Sequence, residues 1–263
     1  MITEAKEKLL SIVDQGRLAA VLHYPSTNGD RVRAVIICQG LNGERAEKHR
    51  MAVKFGRLLA ANGIACMRFD YFGMGLSDGA SYEMTTSTKV SNVKKVYAYL
   101  RALGFIHPDK ITLLGFSDGA KISLLSALEL EVRSLIHWSP VYKGGARNYF
   151  AARKPKVIRN PHDGNSFVVP WSGLWFGVRY FQDLANHDVA AGLKAYSGKS
   201  LVIYDNQDDT VRTDLESLQP DCDFAFNRQR DVLRVDGAGH LFSSAEFERK
   251  VMLASLHWLQ RAV

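Results

Sequence analysis

Cysteine is scarce in this 263-residue sequence: Cys38, Cys66 and Cys222 lie far apart and never at C-x-x-C spacing. An odd, dispersed set excludes a disulfide frame and a thiolate zinc site, and suits buried thiols in a reducing compartment. No H-E-x-x-H occurs, and the short run NPHDGN is too little for a metal site, so neither metal nor other cofactor is expected. Long apolar runs are missing too. Nothing approaches the roughly 20 residues of a membrane span. The opening residues MITEAKEKLLSIVDQG lack the basic-then-apolar order of a secretory signal, and the expected location is the cytoplasm. There are no internal repeats and no low-complexity tract.

What is present is an ordinary globular composition, 46% hydrophobic and 23% charged, fitting one domain over residues 1–263. The formal net charge is +7, and residues 141–160 hold much of it: Lys143, Arg147, Arg153, Lys154, Lys156 and Arg159, with no acid. Such a run is either a solvated loop or a docking face for an acidic acyl carrier or coenzyme A. No nucleic-acid motif accompanies it.

Apolar periodicity alternates between strand and helix along most of the chain. KLLSIV and RLAAVLHYP flank Asp14-Gln15-Gly16 as a hairpin. RAVIICQG and IACMRFD are continuous apolar strands, buried on both faces. Between them Met51, Phe55, Leu58 and Leu59 mark a helix that Asn62-Gly63 ends. Val90, Val93, Tyr97 and Leu100 mark another, stopped by Gly104 with Pro108 beyond. ITLLGFS, VRSLIHWSP, SLVIYDN and DVLRVDGAG are further strands, with a helix over residues 119–129. A last helix opens on Ser243 and Glu246 in capping-box spacing. The alternation predicts an α/β fold with a mostly parallel central sheet and helices on both faces. Residues 141–195 break it: no strand is evident there, and WSGLWFGVRYFQDL concentrates aromatics. That stretch is expected to be an inserted helical lid, with Trp171, Trp175 and Phe176 as candidate substrate contacts.

Within ITLLGFSDGAKISLL, Gly115, Ser117 and Gly119 spell G-x-S-x-G between a strand and a helix. A nucleophile on that turn is exposed at the carboxyl end of the sheet, and small flanking residues let helix and strand approach. The turn leaves the Asp118 backbone N–H at the helix N-terminus, where an oxyanion would form. Serine needs a histidine base. His240 follows DVLRVDGAG on a small-residue loop and is the best placed of the eight. The base needs a carboxylate, and LVIYDNQDDTV offers Asp205, Asp208 and Asp209. Asp208 sits after a loop long enough to reach His240; Asp205, nearer the strand end, and Asp209 are the alternatives.

The chain order Ser117, Asp208, His240 resembles that of the α/β-hydrolase superfamily, and the resemblance extends over most of the chain except the lid. FDYFGMGLSDG (69–79) looks like the loop after that family's fourth strand. The resemblance implies a second oxyanion donor after the third strand, usually within His-Gly-x. Here the chain reads Gln39-Gly40-Leu41, which makes Leu41 N–H the donor. The function implied is cleavage of an ester or thioester of an apolar acyl group through an acyl-enzyme. Acyl transfer with the same triad is one alternative. A non-catalytic ligand-binding protein on this fold is another, and an intact triad speaks against it.

Overall fold

The computed structural model describes residues 5–26, 29–143, 158–169, 173–218 and 230–262. β1 (Ala5–Val13) and β2 (Arg17–Pro25) form the expected hairpin, paired from Ala5↔Pro25 to Val13↔Arg17. It is the antiparallel edge of an eight-stranded sheet. The other members are β3 (Val32–Cys38), β4 (Ala65–Phe69), β5 (Ile106–Phe116), β6 (Ser134–Trp138), β10 (Lys199–Tyr204) and β11 (Arg230–Arg234). The order is β1-β2-β4-β3-β5-β6-β10-β11, with every pairing from β4 onward parallel. β5 starts five residues earlier than its apolar run suggests. Val32 pairs with Ile106, and the register then shifts so that Ala34 pairs with Ile111, leaving Pro108 outside the ladder.

The central strands are buried on both sides, and their period of two sorts side chains between two cores. Ala34, Ile36 and Cys38 face the side covered by α2 (Thr86–Arg101) and α3 (Gly119–Leu130). Val35 and Ile37 face α1 (Met51–Ala61) and α7 (Ala245–Ala262). α1 ends at Asn62 with Gly63 at φ +78°, a conformation that glycine adopts without strain. α2 opens on a capping box in which Thr85 Oγ1 accepts from Thr88 N–H at 3.1 Å and Thr88 Oγ1 from Thr85 N–H at 2.8 Å. Phe55 of α1 is fully buried, its ring 5.0 Å from that of Trp138. Truncating such a side chain to alanine typically costs about 3–5 kcal/mol.

Two expectations are corrected. The cap of α7 is Ser244, whose hydroxyl accepts from Phe247 N–H at 3.1 Å, one residue after the Ser243 of the sequence pattern. The segment expected to be a helical lid is not purely helical. β7 (Ile158–Arg159), β8 (Ser166–Val169) and β9 (Leu174–Gly177) form a small antiparallel sheet, followed by α4 (Val178–Leu184) and α5 (Val189–Ala195). Gly173 at φ +67° turns β8 into β9 inside the aromatic run, and strands this short leave little periodicity to read.

Cys38 and Cys66 are buried on opposite faces of the sheet, too differently placed to pair, and burial pushes both thiols up to about 12. Cys222 lies outside the described residues. So do Arg147, Arg153, Lys154 and Lys156 of the basic run, whereas Lys143 and Arg159 are described. No helix among the described residues is long and apolar enough to cross a membrane.

Two buried histidines make stability pH-dependent. His137 on β6 bridges Ser123 Oγ (3.1 Å) and Tyr142 Oη (2.8 Å), and burial pushes its pKa down to about 3. His23 on β2 is pushed down to about 4 by burial and by Arg68, whose Nε donates to His23 Nε2 at 2.7 Å. Both imidazoles are neutral in the fold and regain an ordinary pKa near 6.5 on unfolding. Below 6.5 the unfolded chain therefore binds more protons, and stability present above that pH is lost as pH falls toward 4. We expect the urea midpoint to fall from pH 7 to pH 5, and less steeply in His137→Gln. Parallel titrations at the two pH values check this.

Candidate active site

β5 ends at Phe116, and the next residue, Ser117, stands at φ +53°, a left-handed conformation costly for a side chain with a Cβ. The turn is held from both sides. Ser117 N–H donates to Trp138 O at 2.9 Å, and its carbonyl accepts from Ala120 N–H and Val141 N–H, each at 3.0 Å. The flanking glycines are steric requirements. A Cβ at Gly115 would stand 2.3 Å from Gly119 O, and one at Gly119 would stand 2.0 Å from Cys38 O. α3 thus starts in direct contact with β3, which only glycine permits.

Ser117 Oγ lies 2.9 Å from His240 Nε2, and His240 Nδ1 lies 2.6 Å from Asp208 Oδ2. A carboxylate only accepts, so Nδ1 carries the proton and Nε2 is free to accept from the serine hydroxyl. His240 comes from the loop after β11 and its ring lies 5.8 Å from that of Phe116. Asp208 is buried at the start of α6 (Asp209–Leu218), its Oδ1 accepting from Thr210 and Val211 N–H at 2.9 and 3.3 Å. One carboxylate therefore caps a helix and meets the histidine.

The three aspartates separate cleanly. Asp205 does not meet the imidazole; its Oδ2 accepts from Gly239 N–H at 2.7 Å and its Oδ1 from Gln207 N–H at 2.9 Å, which ties the histidine loop to the end of β10. Asp209 is exposed and pairs with Arg212 at 2.5 Å. The histidine loop is braced from its other side as well. His49, just before α1, has its Nε2 2.8 Å from Leu241 O and its Nδ1 on Glu248, which Lys54 also grips through both oxygens at 2.8 Å.

Gly40 packs beside the serine: a Cβ there would lie 3.5 Å from Ser117 Cβ. Leu41 follows it, and Asp118 follows the serine. Among the described residues neither the Leu41 nor the Asp118 N–H has a hydrogen-bond acceptor. Two carboxylates that the sequence reading did not single out shape this loop. Glu47 Oε1 accepts from Gly40 N–H at 2.8 Å; burial pushes its pKa up to about 7, against the opposing pull of the Gly40 and Lys48 N–H groups. Asp70, fully buried after β4, accepts from Arg45 N–H at 2.6 Å and Leu76 N–H at 2.8 Å and pairs with the Arg45 side chain. It thereby joins the FDYFGMG loop to the loop after β3. Gln39 is buried, and its amide has no partner among the described residues.

Of the candidate substrate contacts, Trp171 lies outside the described residues. Trp175 and Phe176 fall on opposite faces of β9. Trp175 is exposed, whereas Phe176 is buried with its ring 5.1 Å from that of Tyr180. The Tyr180 hydroxyl in turn reaches Asp118 Oδ1 at 3.5 Å, so α4 adjoins the turn that carries the serine.

Known proteins share this fold. The family described as "Serine aminopeptidase, S33", an α/β-hydrolase family, matches residues 29–172, more than half of the chain. The esterase FrsA of Yersinia enterocolitica is 28% identical over 138 residues, which are 52% of this chain and 32% of that protein. The chain thus spans about a third of the length of that curated relative. Among solved structures, Est1E from Butyrivibrio proteoclasticus with ferulic acid bound has a TM-score of 0.80 at 21% identity, covering 96% of this chain and 98% of that one. Dienelactone hydrolase from Anabaena variabilis has a TM-score of 0.65 at 14% identity, covering 98% and 99%. The family match and the shared sheet lead to one conclusion: the chain belongs to the S33 serine aminopeptidase-like family, and with it to the α/β-hydrolase superfamily.

Proposed function

We propose that the protein is a serine hydrolase that cleaves an ester or thioester of an apolar acyl group. The observation that carries this reading is the unbroken hydrogen-bond chain from Ser117 Oγ through His240 to Asp208. Ser117 attacks the carbonyl carbon as His240 Nε2 takes its proton, and the charge on the carbonyl oxygen is met by the Leu41 and Asp118 N–H groups. His240 then protonates the leaving alkoxide or thiolate. Water, deprotonated by the same imidazole, releases the acid from the acyl-enzyme. Asp208 keeps Nδ1 protonated and stabilises the imidazolium.

The fold alone hosts many reactions, so the substrate class rests on local features. FrsA is named an esterase, and Est1E was solved with ferulic acid, which favours carboxylic esters. In this reading residues 141–195 are an insertion within the single domain that caps the site, with Phe176 and Tyr180 as its apolar lining. Lys143 and Arg159, with the rest of the basic run, would steer a carrier or coenzyme A thioester.

A fluorophosphonate probe followed by peptide mapping, with a panel of p-nitrophenyl esters, acyl-thioesters and aminoacyl anilides of graded length, tests the proposal. We expect label on Ser117 and turnover of esters or thioesters far above that of anilides. Anilides as the best substrates would make it a peptidase. Acyl transfer to an added alcohol without hydrolysis would make it a transferase, and no label and no turnover would leave a binding protein.

A further inference from the structure

Directly behind the serine lies a group of charges that the triad does not use. Asp118 does not cap its own helix; its carboxylate is turned inward, where Lys121 Nζ lies 2.7 Å from Oδ1 and Lys89 Nζ, reaching across from α2, lies 2.9 Å from Oδ2. Both lysine side chains are 0% exposed and that of Asp118 is 7% exposed. The Lys89 ammonium also lies 5.2 Å from the centre of the Tyr71 ring, and the Tyr180 hydroxyl approaches Asp118 Oδ1 from α4. Fully buried lysines are rare, and removing three charges from water costs more than an apolar core of the same shape. Burial alone would raise the Asp118 pKa, but the Lys121 and Lys89 ammoniums hold it well below the carboxylate range. Burial lowers the Lys89 pKa, opposed by that same carboxylate. Two ammoniums face the Asp118 carboxylate, and Glu47, buried nearby, adds a second negative charge when ionised and also supports the Lys89 ammonium.

A costly ion group needs a reason for its place. Here Asp118 supplies one, because its side chain and its backbone N–H belong to the residue next to the nucleophile. The 117–118 peptide is held at its carbonyl by Ala120 and Val141 N–H, and the carboxylate gripped from two helices anchors the Asp118 Cα at its other end.

Building on the serine hydrolase reading above, we propose that Lys89 and Lys121 are positioning residues for the oxyanion. They fix Asp118, and through it the N–H that meets the developing charge, and their ammoniums favour that oxyanion across a low-dielectric interior. Neither lysine takes or gives a proton in the reaction.

The proposal separates from mere structural support by comparing Lys89→Met with the combined variant Lys89→Met, Asp118→Asn and Lys121→Met. Removing one ammonium destabilises; removing the whole ion group restores an uncharged interior and with it much of the stability. Active sites are counted with the fluorophosphonate probe, so kcat refers to folded enzyme only. The second readout is inhibition by an acyl trifluoromethyl ketone, whose adduct with Ser117 carries an alkoxide where the oxyanion forms. We expect kcat about 10–100-fold lower in both variants, KM within about threefold of the parent, and inhibitor affinity weakened in parallel with kcat. The combined variant should regain thermal stability without regaining kcat. Wild-type kcat per titrated site in the combined variant would overturn the proposal, as would a loss confined to KM. Turnover surviving in Ser117→Ala would instead overturn the hydrolase reading, which keeps the two failures distinct.

Discussion

Replacing Ser117 with alanine is expected to lower kcat/KM on the best ester of the panel by about 10⁴-fold or more, leaving only what the oxyanion donors contribute by themselves. The fold should survive. Among the described residues the hydroxyl's one hydrogen bond is to His240, and the backbone bonds to Trp138, Ala120 and Val141 do not depend on the side chain. Ser117→Gly separates chemistry from strain: it should be equally inactive, yet more stable than Ser117→Ala by about 1 kcal/mol, because glycine adopts φ +53° without a Cβ penalty. Thermal melting of the two variants, beside a rate assay with active-site titration, checks both halves. Near-normal rates in the alanine variant would dismiss Ser117 as the nucleophile.

Asp208→Asn is the second large loss, about 10⁴-fold in kcat, by a different route. Its amide oxygen can still accept from Thr210 and Val211 N–H, so the start of α6 is kept. The amide nitrogen then faces His240 Nδ1, which must turn acceptor. The proton moves to Nε2, where it opposes the serine hydroxyl, and the base is lost. Asp205→Asn should cost about 10-fold, since one amide cannot accept from both Gly239 and Gln207 N–H and the histidine loop loosens. Asp209→Asn, exposed beside Arg212, should change nothing measurable. Rates for the three variants, measured from pH 6 to 9, rank them; a crippled Asp205→Asn beside an active Asp208→Asn would reverse the assignment.

The elements with a strong period were legible from residues alone. The hairpin around Asp14-Gln15-Gly16, the buried strands β3 to β6, and helices α1 and α2 all follow from apolar spacing and their stop signals, and α3 from its place after the serine turn. The sharp turn at Ser117 was legible because G-x-S-x-G lies between a strand and a helix. The strands of 158–177 were not, because pairs of two to four residues with half-buried faces carry no readable alternation. Asp205 and Asp208 both follow β10 closely enough to serve His240, and only the closed loop decides which carboxylate meets the ring. The buried lysines are hidden for another reason. Lys89 lies in TSTKVSNVKK, a run that looks solvated, although Thr86, Lys89, Asn92 and Val93 all turn inward. Lysine on a helix is normally a surface residue, so nothing local marks this one.

Asp214 of α6 accepts from the backbone N–H of Tyr142 at 2.6 Å and of Lys143 at 3.0 Å, just past the Val141 N–H that holds the serine carbonyl. The chain is therefore moored twice before it leaves the sheet. Sequence downstream of residue 143 can lengthen, shorten or change character while the mooring absorbs the disturbance, and the reacting atoms keep their places. Such a layout uncouples the turn that carries Ser117 from the loops beyond it.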